Sequence, residues 1–305
     1  MELRQLQYFI CLYEEGSVTR AARRLNIVQP ALSMQIAKLE DELGQKLFVR
    51  LPKGMAPTEA GHEAYHLFTP VVRDLSDAQQ ELANRSGRIG GHVSVGVVTT
   101  VSNRVLARSL ADFSGRYPDV RVSATGGFTL ELIEAVRAAQ MDFAIINRPR
   151  GRSDLPSIPL LDEELVLVSA LETPLPVPSP VALPDAAHLK LVIPSKRHGL
   201  RAVMDQAAES IGLDLQPRIE LDEINSIEDF VRQTDWFSIL PSIAIHEGLA
   251  NRSLRAHRIV SPRITRHLMC IYSPRRQLSA AARLLVEVIG RNLTAAAEAV
   301  DPQAA

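Results

Sequence analysis

The chain has 305 residues, of which 46% are hydrophobic and 23% charged, with a formal net charge of −1. Its length allows two or three domains of roughly 100–150 residues each, and its composition is that of an ordinary globular protein. The near-zero net charge excludes a protein that coats nucleic acid through overall charge, although it permits a local basic face.

The cysteines and the N-terminus bear on the compartment. Cys11 and Cys270 stand far apart in apolar stretches, which predicts two core thiols and no disulfide, as in a reducing compartment. The opening "MELRQLQYFICLYEEG" carries charges among its apolar positions, and no apolar run is long enough to span a membrane. We expect a cytoplasmic protein with no membrane partner. Without a Cys-x-x-Cys or Walker pattern, we also expect no metal, no cofactor and no enzymatic activity.

Apolar residues at helical spacing predict three helices near the N-terminus. The first ends near Gly16, and Ser17 is placed to cap the second, "VTRAARRL", whose small alanines let a neighbouring helix cross closely. The third begins at Gln29-Pro30, since proline suits the first turn of a helix. Its predicted buried stripe contains Leu32, Ile36, Leu39 and Leu43.

The other face of the third helix carries small and hydrogen-bonding residues rather than Glu/Lys pairs, which favours contact with base edges. The next segment, "QKLFVRLPKGMAPTEAG", predicts a hairpin wing with cations for phosphate contact. In the alternative interpretation, Gln29 only caps the helix and the wing cations are solvated. The predicted DNA contacts are Gln29, Pro30, Ser33, Met34, Lys38, Arg50 and Lys53.

A long helix capped by Thr58 is predicted to follow, with one apolar seam. A helix with a single exposed apolar stripe requires a partner to cover it, and a second copy of the chain is the simplest partner. "SGRIGG" at 86–91 indicates a domain boundary. The seam contains Ala60, Ala64, Leu67, Val71, Leu75, Ala78 and Leu82.

The N-terminal region resembles the LysR-type transcriptional regulators. The resemblance is carried by "LQYF", "GSVTRAARRLNIVQPALSMQIAKLEDELGQKLFVR" and "PTEAG", in the order and spacing of that family. It implies a winged helix-turn-helix, a dimerising linker helix and a C-terminal effector-binding domain, with Gln29, Pro30 and Ser33 contacting DNA. Met34 departs from the family, which more often has a polar or basic residue at that position.

The rest of the chain alternates strand and helix patterns, which predicts α/β architecture with parallel sheets and helices on both faces. "ADFSGRYPDVRV", "LIEAVRAAQMDFAI" and "ELDEINSIEDFV" continue the resemblance, which implies a periplasmic-binding-protein-like domain of two α/β subdomains. Ala107, Ala139 and "TDWFS" (234–238) depart from the family pattern. The expected division is 1–58 for the winged domain, 59–91 for the linker helix, 92–161 with 265–300 for subdomain I, and 162–264 for subdomain II.

Loops after the predicted strands supply hydroxyl, amide and guanidinium groups beside helix N-termini, so we expect a small anionic effector such as a carboxylate. In the alternative interpretation these residues are caps and turns, and Arg148 pairs with Asp142 or Glu163. The predicted effector contacts are Thr99, Thr100, Ser102, Phe128, Thr129, Asn147, Arg148, Ser195, Arg201 and Asn225.

Together these features predict a sequence-specific regulator that binds double-stranded DNA, and the resemblance to the family implies a homotetramer, a dimer of dimers. "PLLDEELVLV" and its spacing to "ELDEINSI" resemble the nitrogen-assimilation-control-like members of the family. The alternative is a small-molecule binding protein or enzyme with an incidental helical N-terminus. That alternative does not explain the wing or the apolar seam of the linker helix.

Overall fold

The structure is a computed structural model that describes residues 1–52, 54–84, 89–102, 105–151, 153–274 and 276–299; the side chains of residues 77, 80–84 and 102 lie outside the description. Lys53 and the side chains of Leu82 and Ser102, named above, are therefore outside the described residues. Contacts divide the described chain into two compact units, one formed by Met1–Gly91 with Ala138–Gln140 and the other by the remaining residues.

The N-terminal unit contains short helices, a hairpin and one long helix. The first helix ends at Gly16, whose φ of 58° is left-handed. Ser17 then caps the second helix, as predicted, by accepting the Arg20 N–H. The elements are α1 (Leu3–Glu15), α2 (Val18–Arg24), α3 (Gln29–Leu43), β1 (Phe48–Leu51), β2 (Gly54–Pro57) and α4 (Glu59–Asn84).

The core of this unit forms where α1, α2 and α3 meet. Phe9, Ala21 and Leu32 are fully buried there, and the small side chain of Ala21 permits the close crossing that the sequence predicts. The predicted inclusion of Leu43 in the buried stripe is wrong, because Leu43 is 37% exposed at the last turn before Gly44.

Helix α4 has two apolar faces rather than the single predicted seam. Thr58 caps it by accepting the Gly61 N–H at 3.0 Å. Ala64 and Phe68 pack against the core of the N-terminal unit. A second set of apolar residues, at i, i+4 and i+8, faces away from that core: Leu67, Val71 and Leu75, which are 60%, 54% and 41% exposed.

The second unit alternates strands and helices along most of its length. Its strands are β3 (Gly91–Val98), β4 (Val120–Gly127), β5 (Phe143–Asn147), β6 (Ser157–Ala170), β7 (Val181–Ala182), β8 (Val192–Ile193), β9 (Ile219–Glu220), β10 (Ser238–Pro241), β11 (Leu254–Val260) and β12 (Thr265–Tyr272). Its helices are α5 (Thr99–Ser102), α6 (Val105–Arg116), α7 (Thr129–Arg137), α8 (Leu183–Ala187), α9 (Gly199–Glu209), α10 (Ile224–Arg232), α11 (His246–Ala250) and α12 (Ala280–Glu298).

Among the described residues, eight strands form the main sheet, in the order β4-β3-β5-β12-β6-β11-β7 with β10 also paired to β6. Strands β3 and β5 are parallel, but β12 is antiparallel to both β5 and β6, and β10 and β11 are antiparallel to β6. The prediction of parallel sheets is therefore wrong for this sheet, which is mixed. The long strands β6 and β12 run side by side in opposite directions, and the chain between them contains β7–β11 and α8–α11.

The second unit has two lobes joined by β6 and β12. Lobe I contains β3–β5, α5–α7 and α12, and the Asn292 amide of α12 donates to Ser109 Oγ of α6 at 3.1 Å. Lobe II contains β7–β11 and α8–α11, with its own core of side chains between Leu165 and Ile264. This is a two-lobed α/β domain of the predicted class.

Two details of lobe II differ from the sequence prediction. Strand β11 is not predicted, because "LRAHRIV" places charged and polar side chains among its apolar ones. The prolines of "ETPLPVPSPVALP" (172–184) predict an extended surface loop, but this segment also contains β7 and the start of α8. Within the described part of the chain, no helix has the length and apolar character needed to cross a membrane.

Candidate functional site

The predicted DNA-contact residues of α3 lie together on its exposed face. Gln29 and Ser33 lie one turn apart and line a groove that also contains Arg50 of the wing. Pro30, Met34 and Lys38 form the adjacent exposed row, again at a spacing of four residues. The structure therefore brings these six predicted residues onto one surface.

The helix-cap interpretation of Gln29 is wrong. The N-cap of α3 is Val28, which has extended backbone, makes no side-chain cap hydrogen bond and is 68% exposed. Gln29 is the first residue of the helix and Pro30 the second, so the Gln29 amide lies on the exposed surface rather than closing the helix end. An exposed side-chain amide of this kind has the donor and acceptor needed to pair with an adenine edge.

Glu40 holds the wing against α3. Its carboxylate is buried and accepts the backbone N–H groups of Leu47 and Phe48 at 2.9 and 3.2 Å, while Lys46 pairs with its other oxygen at 2.8 Å. These bonds fix where β1 begins, and β1 carries the exposed Arg50. The hairpin register, Leu51 opposite Gly54, places Arg50 one residue from the turn, where it can reach a phosphate.

A second candidate site lies between the lobes of the second unit. Thr129, Asn147 and Ser195 each have a buried side-chain polar atom with no hydrogen-bond partner among the described residues; for Asn147 both amide atoms are unpartnered. Thr129 and Asn147 are 4% and 1% exposed. Because buried polar groups are nearly always paired, such a group of orphans indicates a place for a polar ligand.

Helix starts and strand ends position Thr129 and Asn147 beside the start of α9, and Ser195 lies in the turn before that helix, where its backbone oxygen accepts the His198 N–H at 3.0 Å. Asn147 ends β5, Thr129 begins α7 in lobe I, and Gly199 begins α9 in lobe II. A methyl group on Gly199 would lie 2.3 Å from Thr129 Oγ1 and 3.3 Å from Asn147 Nδ2. The N-termini of α7 and α9 therefore meet across the cleft, and both contribute partial positive charge.

His198 supplies a defined hydrogen-bond donor at the same place. Its Nδ1 accepts the Leu200 N–H at 3.0 Å, so the ring proton is on Nε2, which lies 2.9 Å from Thr99 Oγ1. Burial lowers the pKa of His198 to about 4, with Asp222 opposing that shift and Arg266 adding to it. The neutral imidazole thus links lobe II to lobe I through Thr99.

Phe128 lies at the edge of this cleft. Its ring packs edge-on against His198 with centroids 5.6 Å apart, and the Arg197 guanidinium lies 5.1 Å from its centroid. Arg197 also reaches Glu131 of α7 at 3.4 Å. Residues of lobe II thus contact the start of α7 beside the orphaned polar atoms.

Thr100 and Asn225 belong to an adjoining small cavity of about 60 Å³, which Thr99 also lines. Thr100 is buried, and its Oγ1 accepts a hydrogen bond from Arg266 Nη1 at 2.6 Å. Arg266 in turn pairs with Glu163, and both side chains are buried. Sequence patterns missed Arg266, because an arginine in the strand "TRHLMCIY" carries no signal of burial.

The two arginines predicted to contact the effector lie elsewhere. The Arg201 guanidinium is 2% exposed and donates to Asp205, Glu220 and the backbone oxygens of Pro194 and Leu215. These four partners give it a structural role. Burial lowers the pKa of Arg201, but the hydrogen bonds and charges of Asp205 and Glu220 together raise it above its usual value.

Arg148 is exposed and lines a different cleft, with Arg263 and His267. The acids predicted as its alternative partners are engaged by other residues: Arg276 pairs with Asp142 at 2.9 Å, and Arg266 pairs with Glu163. The structure therefore places Arg148 apart from the cluster around Thr129 and Asn147.

Metal and thiol chemistry receive no support from the described residues. "HEAYH" at 62–66 in α4 has the spacing of a helical zinc-binding motif, but His62 Nδ1 lies 2.7 Å from the Tyr13 hydroxyl. No group of three or more His, Cys, Asp or Glu side chains able to hold a metal occurs in the described part of the chain. Cys11 and Cys270 are both buried, and burial raises the pKa of Cys270 to about 12.

Comparisons with known proteins match both units. Residues 3–62 match the family model described as bacterial regulatory helix-turn-helix protein, lysR family, and residues 86–294 match the LysR substrate binding domain. The nitrogen assimilation regulatory protein nac of Klebsiella aerogenes is 30% identical over 292 residues, which cover 95% of this chain and 94% of that protein. The Escherichia coli protein of the same name is 28% identical over 290 residues, covering 95% and 94%.

Solved structures agree on the fold. A full-length OxyR variant from Pseudomonas aeruginosa superposes with a TM-score of 0.74 at 20% identity, covering 98% of this chain and 97% of that one. CbnR in complex with its target DNA gives a TM-score of 0.68 at 22% identity, covering 96% of this chain and 100% of the other.

Proposed function

The chain belongs to the LysR family of transcriptional regulators, and from that premise we propose which residues read DNA, which face assembles the protein and what kind of effector it binds. It has the helix-turn-helix and effector-binding domains of that family and is a regulator rather than an enzyme. The division into 1–58, 59–91 and 92–305, with its two subdomains, is part of the proposal.

Gln29 and Ser33 read base edges, with Pro30, Met34 and Lys38 beside them and Arg50 on the backbone phosphates. The supporting observation is that all six are exposed on one surface of α3 and the wing. A helix face of this size fits the major groove, where amide and hydroxyl groups discriminate bases and cations hold the register. The chain's net charge of −1 is compatible with this function, since only this surface has to meet DNA.

The protein assembles through α4. The exposed Leu67, Val71 and Leu75 form an apolar stripe that the N-terminal unit leaves uncovered, and a second copy of α4 is its natural partner. Pairing of two copies places two winged units on a two-fold symmetric site. Effector domains pair separately, which gives a dimer of dimers.

The effector is a small anion, such as a carboxylate, bound between the lobes. The observation that carries this proposal is the cluster of buried, unpartnered polar atoms on Thr129, Asn147 and Ser195, where the N-termini of α7 and α9 meet. The site is completed by Thr99, Thr100, Phe128 and Asn225. Ser102 stays a prediction, because its side chain lies outside the described residues. Arg148 and Arg201 are left out of it for the reasons given above.

A gel shift tests the DNA-binding part. The specific duplex is the DNA between the gene for this protein and a neighbouring gene that is transcribed in the opposite direction. A scrambled duplex of equal length serves as competitor. Wild-type protein is expected to bind the specific duplex, and Gln29→Ala and Ser33→Ala to weaken it by roughly tenfold each, as for loss of a good base contact. Glu63→Ala, an exposed change on α4, serves as control. Equal binding by wild type and both variants would refute the assignment.

A thermal-shift screen tests the effector part. Small carboxylates and amino-acid catabolites are the probes, with nitrogen-containing carboxylates first because of the similarity to nac. A ligand present at about 100 times its Kd raises the free energy of unfolding by about 2.7 kcal/mol. The shift is expected to disappear in Asn147→Leu and to survive in Arg148→Ala. A shift lost in Arg148→Ala but kept in Asn147→Leu would move the site to the other cleft.

A further inference from the structure

A buried ion pair lies on the two strands that join the lobes. Arg266 of β12 and Glu163 of β6 are direct partners in the antiparallel ladder, and their side chains are 0% and 3% exposed. Arg266 Nε and Nη2 both donate to Glu163 Oε2, at 2.8 and 2.5 Å. Because apolar residues of similar volume commonly stabilise a fold as well as a buried ion pair does, stability alone does not explain this one.

The remaining polar atoms of the pair reach opposite lobes. Arg266 Nη1 donates to Thr100 Oγ1, at the start of α5 in lobe I, at 2.6 Å. Glu163 Oε1 accepts from the Ser242 hydroxyl at 2.9 Å and from the Ile243 N–H at 2.8 Å, in the segment after β10 in lobe II. A continuous hydrogen-bonded chain therefore runs from one lobe to the other through the joining strands.

This chain orients the Thr100 hydroxyl. An oxygen that accepts from a guanidinium directs its own proton to another acceptor. Thr100 also lines the small cavity between the lobes, together with Ile243 and Ala244 of lobe II. A ligand atom in that cavity that accepts a hydrogen bond from the Thr100 hydroxyl therefore changes the bonding of the same hydroxyl that accepts from Arg266.

We propose that the Arg266–Glu163 pair couples the hydrogen-bonding state of Thr100 to the Ser242–Ile243 segment, and so transmits effector occupancy from lobe I to lobe II. The regulatory meaning of this coupling rests on the proposed effector site. Arg266 and Glu163 act as positioning residues. They are buried and bonded at both ends, so a displacement of Arg266 carries Glu163 with it and weakens the acceptor of the Ile243 N–H.

Residue-resolved hydrogen exchange on the full-length protein tests the coupling. Thr100→Val preserves the shape of the side chain and removes the acceptor of Arg266 Nη1. The Ile243 amide is expected to exchange roughly tenfold faster, as for weakening a charge-assisted hydrogen bond. The control is Ser109→Ala, which removes a buried lobe I hydroxyl whose partners, Val105 and Asn292, lie outside this hydrogen-bonded chain. It should leave the Ile243 exchange rate unchanged.

A second background separates coupling from general loosening. Arg266→Met combined with Glu163→Met removes both charges together, so that no unpaired ion stays buried. Ile243 is expected to exchange fast in this background, and adding Thr100→Val should change its rate by less than about twofold. Thermal unfolding establishes that each variant is folded. If the double replacement does not fold, the comparison of Thr100→Val with Ser109→Ala decides the question.

Two results would overturn the proposal. One is an Ile243 exchange rate that Thr100→Val leaves unchanged. The other is an undiminished effect of Thr100→Val when the ion pair has been replaced. Neither measurement uses DNA or an effector, so failure here is distinct from failure of the proposed function, which the gel shift and the thermal-shift screen detect.

Discussion

Gly199 and Thr129 face each other across the cleft so closely that a methyl group on Gly199 would lie 2.3 Å from Thr129 Oγ1. Each is the first residue of its helix, α9 in lobe II and α7 in lobe I. The two helix N-termini can approach this closely only because position 199 has no side chain. The proposed anion site depends on that approach.

Gly199→Ala should therefore separate the lobes at the site. The added methyl group meets Thr129 Oγ1 and Asn147 Nδ2, and overpacking of this kind destabilises by about 1–3 kcal/mol. Denaturant unfolding measures the loss. Gly115→Ala is the control, since a methyl group there has nothing within 4 Å, and it should be neutral or stabilising. Adding Thr129→Ala to Gly199→Ala should recover part of the lost stability, because it removes the atom that the new methyl group meets. If stability does not recover, the clash with Thr129 is not the cause of the loss.

The two arginines that the sequence predicts as effector contacts should behave oppositely. Arg201→Ala leaves the buried backbone oxygens of Pro194 and Leu215 without their donor, and loss of a buried hydrogen-bond partner costs about 1–3 kcal/mol. Asp205 and Glu220 are partly exposed, so solvent screens the loss of their ion pairs with Arg201. Arg148→Ala removes an exposed side chain and should change the free energy of unfolding by less than about 0.5 kcal/mol. Urea unfolding of both variants checks this. Equal stability changes would be inconsistent with the structural role of Arg201.

His198 should make stability depend on pH between about 6.5 and 4. Its pKa is lowered from 6.5 to about 4, mainly by burial, so in this window the unfolded chain binds a proton that the folded protein does not. The free energy of unfolding therefore falls as the pH falls from 6.5 to 4, by on the order of 3 kcal/mol from this group. Above that window the stabilising contribution is complete.

The difference between wild type and His198→Asn isolates this titration. Asparagine is a good N-cap for α9, so it replaces the bond that His198 accepts from the Leu200 N–H. Burial and Arg255 also lower the pKa of His257, which is present in both proteins and cancels in the difference. The stability advantage of wild type over the variant should shrink as the pH falls from 6.5 to 4. A difference that does not vary with pH would contradict the assignment.

Val71→Asp should prevent assembly through α4. A carboxylate in the middle of the Leu67, Val71 and Leu75 stripe would be buried without a partner in a paired interface, which is strongly unfavourable. Analytical ultracentrifugation should show a smaller species than wild type at micromolar concentration. Ser76→Asp places the same charge about half a turn around the helix from Leu67, at an exposed position, and should not change the mass.

Met34 should contribute to base preference through apolar contact. Its side chain is 63% exposed on the DNA-facing row of α3 and cannot donate a hydrogen bond, which favours contact with the thymine C5-methyl group. Replacing contacted thymines by deoxyuridine should weaken wild-type binding by about fourfold, the effect of burying one methyl group. Met34→Ala should lose this sensitivity. Gel-shift titration of the substituted duplexes measures it, and unchanged sensitivity in the variant would argue against the contact.

The amino-acid sequence by itself determined the N-terminal unit and the class of the second one. Helical periodicity, the cap at Ser17 and proline at the start of α3 are local signals, so the helix-turn-helix and its exposed Gln29 and Ser33 could be predicted. Strand and helix alternation predicted a two-lobed α/β domain, and strand ends pointed to Thr129, Asn147 and Ser195.

Only the tertiary structure decided which charges pair and which stay available. Arg266 and Glu163 are about a hundred residues apart in the chain and meet because β6 and β12 are adjacent and antiparallel. The same folding assigned Arg201 to a buried network and Arg148 to another cleft. Ion pairing depends on strand register and burial across distant segments, and local sequence carries no record of either.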